Sequence, residues 1–559
     1  MRRPLFFFVV PLVASAALAS LDACGSKPQA APDADVPDVV SDVTATSAAD
    51  AATADAARDK GALVKLGASN FQVSVHDKPG WPEDGGTGSH RIGYVRNGAV
   101  VMGYEKTISG NDDCAGGWYE LEKEQGFVCA KAVTTDLTNP KVKLAPKGPD
   151  RDAGMPYRYG VNLTDGTPLY RKALSTDERK KYEPWLSAPK EEPAEKEEKT
   201  ASSSEGETPA AAEEESSSSK HEKKDKELDA GKDAGKPKLK ELRGRGVLVR
   251  KMAKGFYLAL DKEFKSGGAR WWRTTFGFAT PFDRIMLQSA VTKHVGDWWL
   301  EPKAGPITFA HDPDAGVGPV DAGVESIVAG TVGFVRYGAA HEISIEEDGD
   351  KKKTGWGKEI TKRNAVLFTG KTATVNGVTY HEVASGNYIM ANSVHLARPQ
   401  PPADIGADEK WIDVDLTRQT LIAFQGMKPV FATVISSGRR NPQDKEKDFP
   451  TPPGTFRIRE KHVTTTMDGD VASDGPYSIE DVPWVMYFQG SYALHGAFWH
   501  DAFGSMRSHG CVNMAPEDAR TLFNWADPPL PDGWHGAFSI DDQHGSRIVI
   551  HEDKKSRRH

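Results

Sequence analysis

The sequence predicts a mainly β, multidomain protein in which a C-terminal β-sandwich-like domain follows small β-barrel modules, the parts being joined by disordered linkers. Three observations predict this. The 54 Gly and 36 Pro make up about 16% of the 559 residues, above a usual share near 12%, and such backbone punctuators collect in turns and linkers. Apolar residues come in short runs bounded by turn residues, as in Ile92-Gly93-Tyr94-Val95 before Asn97-Gly98, the pattern of short strands. Two long tracts lack large apolar side chains, so they cannot offset the entropy of ordering. A hydrophobic share of 38% and a mean hydropathy of −0.53 exclude a multi-pass membrane protein. With 71 Lys and Arg against 79 Asp and Glu the net charge is −8, which offers no basic field to nucleic acid.

Residues 1–23 read as a signal peptide. Arg2 and Arg3 precede an apolar run from Leu5 to Ala19 that is too short to span a bilayer comfortably. The following Leu21-Asp22-Ala23-Cys24-Gly25-Ser26 resembles the lipobox of bacterial lipoproteins. That resemblance implies lipidation of Cys24 and anchoring to a membrane of the periplasmic cell envelope, the outer membrane being favoured. Cleavage after Ala17-Leu18-Ala19 is the alternative and leaves Cys24 a thiol. Several acyl chains anchor stably where one is marginal. Residues 24–60, dominated by Ala, Asp, Thr and Pro, read as a disordered tether with a reach on the order of 30 to 36 Å.

Residues 61–135 read as a small β module. Val73 and Val75 alternate with polar neighbours, and Val100 to Tyr104 is again apolar. Cys114 and Cys129 close a short loop in a chain read as exported, so a disulfide is expected, contributing roughly 3 kcal/mol by loop entropy; two buried thiols are the alternative. Gly117-Trp118-Tyr119-Glu120 with Gly126-Phe127-Val128 resembles the end of bacterial SH3-like domains of the cell envelope. Residues 136–188 read as a connecting segment and 189–240, with Lys and Glu interleaved, as a low-complexity charged linker.

Residues 241–324 read as β-rich, with strands at Val247-Leu248-Val249 and Gly255 to Leu260. Trp271, Trp272, Trp298 and Trp299 are expected to pack apolar interiors rather than to stack on sugars. The stretch from Gly93 to Ala99 returns as Gly333 to Ala339, and Gly126 to Ala130 returns loosely as Gly386 to Ala391. This internal echo predicts a second SH3-like domain in 325–398.

Residues 405–553 carry the chemistry. Trp411 to Leu416, Leu421 to Phe424 and Val430 to Ile435 read as strands. His495-Gly496 then precedes Ser508-His509-Gly510-Cys511-Val512-Asn513. An ordinary cysteine is only a few per cent thiolate at neutral pH, so a nucleophilic one needs a partner that accepts its proton, and histidine suits that task. His509, two positions from Cys511, points to the same side if the segment is extended. His495, on a separate strand, approaches from the side as a general base does. Gly510 permits a tight turn, and the backbone N–H groups of Gly510 and Cys511 are candidate oxyanion donors.

This constellation resembles the signature of the L,D-transpeptidase catalytic domain (YkuD type), as does Phe449 to Phe456 the family's T-P-x-G-x-[FY] segment. The resemblance implies that Cys511 is the acyl-accepting nucleophile and His495 its proton donor and acceptor. Gly496 orients His495 through its carbonyl, His509 and Gly510 line the oxyanion side, Ser508 and Asn513 support the motif, and Tyr477 faces the site. It implies a cysteine acyltransferase of cell-wall biogenesis that cross-links peptidoglycan stem peptides through a thioester, with no metal or organic cofactor. Water as acceptor gives an L,D-carboxypeptidase, and a protein amine gives attachment to peptidoglycan. SH3-like modules would hold the enzyme on the wall, and a monomer is the default.

Two rivals compete. His495, His500, His509 and Cys511 form a scattered set for zinc, and a wall-binding lipoprotein with a decayed catalytic site would need no intact motif. His500 reads as a polar lid residue, His535 and His544 as surface, and Arg507 as a solvated loop charge before a ligand for a stem carboxylate.

Overall fold

The computed structural model describes residues 58–81, 88–108, 114–187, 237–289, 296–298, 327–336, 339–348, 351–471, 475–540 and 545–553. The signal peptide, Cys24, nearly all of the tether, most of the charged linker, Trp299 and His544 lie outside the described residues. The described part is predominantly β, in several sheets.

The C-terminal domain packs two sheets face to face. One has the order Asp297–Trp298, Lys428–Val434, Thr420–Gln425, Lys410–Asp415, Arg547–His551, Gly454–Arg457. Its central pair is parallel, Trp411 beside Arg547 through Asp415 beside His551. The facing sheet is built on the long strand Gly475–Gln489, with Glu460–Val471 on one side and Tyr492–Gly496 on the other. Ile412, Val414 and Leu421 from the first sheet meet Trp484, Met486 and Leu494 from the second in one apolar interior. The helix Pro516–Trp525 closes an end of it. Proline at its first position and Glu517 and Asp518 in its first turn suit a helix start, and Ala519, Leu522 and Phe523 make the buried stripe.

The first β module, strands Leu63–Ala68 to Val133–Thr134, encloses Leu66, Val75, Val95 and Val128. The Cys114 and Cys129 sulfurs are bonded. Its strand Arg91–Arg96 continues the sheet built on Gly475–Gln489, Gly93 pairing with Ala537 and Tyr94 with Gly536. Gly93 is required there: an added Cβ would lie 2.3 Å from the Trp534 ring.

The segment 136–188, expected only to connect, instead supplies strands Arg158–Asn162 and Thr167–Tyr170. These pair with Tyr257–Ser266 and Leu248–Met252 across the charged tract. The reason is visible in the side chains: Leu169 packs with Leu258 and Trp272, Tyr170 with Trp271, and Tyr159 with Ala259 and Phe498. Trp271 and Trp272 are thus interior residues, and Trp298 is a strand residue beside Phe431.

The third β module, from Val332–Val335 to Val394–Leu396, forms a seven-stranded sheet. Its Phe334 and Leu367 pack with Trp411, Phe424 and Val434 of the six-stranded sheet. The echo noted in the sequence is matched locally: Phe127–Cys129 and Tyr388–Met390 are each followed by a three-residue 3-10 turn and a further strand. The strands from Arg158–Asn162 to Ile285–Gln288, termed here the middle barrel, repeat it with Ala279–Pro281, a turn and Ile285–Gln288.

Candidate active site

The strand Tyr492–Gly496 lies parallel to Val512–Met514, with Leu494 beside Val512 and His495 beside Asn513. This register brings two segments separated by a loop onto one cleft, lined by His495, Cys511, Asn513, Ser508 and His509 and enclosing about 320 Å³. His495 is 2% exposed and Cys511 3%.

His495 is fixed by its neighbour. Its Nδ1 is 3.1 Å from the Gly496 carbonyl oxygen, so Nδ1 carries the proton and Nε2 is left to accept one. Burial pulls its pKa down to about 4, which keeps the ring neutral at neutral pH with Nε2 unprotonated. Trp499 stacks on it at 5.7 Å. The Cys511 sulfur faces the Ser491 carbonyl at 3.7 Å.

The turn before Cys511 is held on three sides. Ser508 Oγ donates to the Cys511 carbonyl at 2.5 Å and accepts from the Gly510 N–H at 3.1 Å. Thr451 Oγ1 donates to the Gly510 carbonyl at 2.7 Å and accepts from the Gly438 N–H at 2.9 Å. Gly510 itself has φ +120°, and an added Cβ would meet the Tyr492 ring at 2.5 Å, so only glycine fits. Without substrate, the Gly510 N–H donates to Ser508 Oγ.

His509 lies between aromatic rings. Tyr477 stacks on it at 5.7 Å with planes 3° apart, Phe449 meets it edge-on at 4.8 Å, and an Arg439 guanidinium nitrogen lies 2.8 Å from its Nε2. Since guanidinium only donates, Nε2 accepts and His509 is neutral. Asn513 reaches His500 at 3.0 Å, and burial, with Arg507 nearby, lowers the His500 pKa to about 4.

The structure therefore gathers Cys511, His495, His509, Ser508, Asn513 and Tyr477 at one cleft. His500, read as a lid residue, and Arg507 line it too. His535, expected at the surface, is 2% exposed because the first β module covers it, its N–H donating to the Tyr94 carbonyl. Sequence reasoning missed Arg439, Trp499 and Tyr257. Among the described residues no three His, Cys, Asp or Glu side chains are grouped to hold a metal ion.

A two-sheet β domain with a histidine and a cysteine buried on one cleft defines the class. Residues 409–550 match the family of the L,D-transpeptidase catalytic domain, YkuD, and this part of the chain is a YkuD-type L,D-transpeptidase catalytic domain. Among solved structures, the chain is similar to a point mutant of Enterococcus faecium L,D-transpeptidase, at 23% identity over 26% of this chain and 50% of that one, with a TM-score of 0.20. An L,D-transpeptidase from Stackebrandtia nassauensis is 21% identical over 28% of this chain and 58% of that one, at 0.19. One from Mycobacterium smegmatis is 17% identical over 38% and 77%, at 0.20. The chain thus spans about half the length of the first of these relatives. No curated protein shows significant similarity to it.

Proposed function

We propose that the protein is a peptidoglycan L,D-transpeptidase working through a Cys511 thioester. The observation that carries this reading is the pairing of a buried, neutral His495, its Nδ1 tied to Gly496, with Cys511 on the same cleft. In the first step the Cys511 sulfur attacks the carbonyl carbon of the third residue of a tetrapeptide stem. The bond from that carbon to the nitrogen of the terminal D-alanine breaks, and His495, having taken the thiol proton, returns it to the leaving amine. In the second step an amine from another stem attacks the thioester, His495 removes its proton, and the sulfur leaves with it. The new amide is a 3→3 cross-link. The Arg439–His509 pair brings positive charge to the Cys511 turn, which favours both the thiolate and the tetrahedral anion.

The reading extends to place: Cys24 is a lipid anchor in the periplasmic envelope, and the small β modules are SH3-like units that hold the enzyme on the wall. The test is intact-mass spectrometry of the protein with a stem tetrapeptide or with ertapenem, the compound that acylates an Enterococcus faecium relative. An adduct on the wild type and none on Cys511→Ala supports the thioester. Absence of an adduct on a folded wild type overturns it. Adding an amine or water to the acyl-enzyme then separates cross-linking from trimming.

A further inference from the structure

The cleft is not built by the catalytic domain alone. Gly255 and Tyr257 of the middle barrel line it together with Met467, Ile479 and Trp499. Backbone register fixes Tyr257 there: it pairs in parallel with Ile479 of the long catalytic strand. The turn before it is also tied down, since the Lys254 N–H donates to Asp165 at 2.7 Å and the Gly255 N–H to the Asn162 carbonyl at 2.9 Å. Arg250, on the adjoining strand, forms ion pairs with Asp468 at 3.7 Å and Glu480 at 3.5 Å of the catalytic domain.

The ring contacts run from the barrel to the catalytic histidine. Tyr159 stacks on Phe498 at 4.0 Å, Tyr257 stands edge-on to Phe498 at 5.5 Å and faces Trp499 at 6.4 Å, and Trp499 stacks on His495. The lining is therefore mixed: Tyr257, Met467, Ile479 and Trp499 contribute apolar surface and Arg507, His500 and Asn513 polar groups, with Trp499 and His500 in ring contact at 6.4 Å. An extended peptide laid across Cys511 would cover more of this lining than a compact β-lactam.

We propose that Tyr257 is a specificity-determining residue: its ring is the wall against which an extended stem peptide is seated, so the middle barrel takes part in choosing the acyl donor. This rests on the transpeptidase reading given above. An interaction shared by the bound and transition states acts on KM rather than on kcat.

The test uses the full chain with Tyr257→Ala, Tyr257→Phe and Tyr257→Trp, following Cys511 acylation by a stem tetrapeptide and by ertapenem. Expected for Tyr257→Ala is a rise in KM for the tetrapeptide on the order of tenfold, with a clearly smaller loss in ertapenem acylation, the fold being checked by its thermal melt. Tyr257→Phe keeps the ring and behaves as wild type, while Tyr257→Trp crowds the cleft and slows the peptide more than ertapenem. Equal losses with both donors, or unchanged peptide kinetics in Tyr257→Ala, overturn the proposal. If the wild type is acylated by neither donor, the transpeptidase reading falls and takes the proposal with it.

Discussion

Arg96 and Asp481 stand 385 positions apart in the sequence and 2.7 Å apart in the fold. The same carboxylate accepts from Thr464 at 2.8 Å and from Thr275 at 2.5 Å, while the Tyr159 hydroxyl donates to the Asp481 carbonyl at 2.6 Å. The first β module, the middle barrel and the catalytic domain therefore meet on one residue. Asp481 also has φ +51°, a conformation that a non-glycine residue keeps only when its surroundings hold it.

Removing one partner of this buried pair strands the other. Arg96→Ala and Asp481→Ala are each expected to cost about 3 to 5 kcal/mol, read from chemical denaturation. In a double-mutant cycle the losses should be far from additive. Additive losses would mean that the two groups do not act on each other.

Glu480 gives a pH signature. Burial raises its pKa to about 8 despite the Arg250 pair, from an ordinary 4.5. A carboxyl raised on folding contributes stability that is complete below 4.5 and lost as pH rises through 8. Glu480→Gln should therefore flatten the fall in stability between pH 5 and 9, and exceed the wild type in melting temperature at pH 9. The check is a set of thermal melts across that range.

His495 predicts the acid limb of the reaction. With its pKa near 4, the ring accepts a proton at any pH well above that value, so acylation of Cys511 should hold between pH 7 and pH 5.5 and fail near pH 4. Loss of acylation centred near 6.5 would instead describe an exposed histidine.

Thr451 offers a test of the turn. Thr451→Val removes the hydroxyl that bonds Gly510 and Gly438 while keeping its shape, leaving buried backbone groups unpaired at about 1 to 3 kcal/mol. Slower Cys511 acylation with a normal response to Thr451→Ser is the expected outcome, measured by stopped-time mass spectrometry.

The catalytic cleft was legible because its chemistry is local in sequence. Ser508 to Asn513 forms one turn and strand, and Gly496 adjoins the histidine it orients. Arg439 was not legible: it lies 70 positions before His509, and only strand order brings them together. Tyr257 reads in the sequence as one strand residue among several, since nothing in it reveals a bridge to Ile479. The segment 136–188 was misread because its partners lie beyond the charged tract, and a strand without a nearby hairpin mate looks like a connection. His535 was misread for a related reason, as burial by a module some 440 positions earlier leaves no mark on its neighbours. The bond from the Gly510 N–H to Ser508 Oγ was not legible, because a side-chain rotamer decides it.

Because Arg91–Arg96 pairs with Gly536–Phe538, an edge of the first β module is covered only by residues some 440 positions later. At 5 to 20 residues per second the wait is roughly 20 to 90 s. An open strand edge is a template for pairing with other chains over that interval. Arg158–Asn162 waits likewise for Tyr257–Ser266. A chain cut short before Gly536 is left with that edge uncovered and open to pairing with other copies.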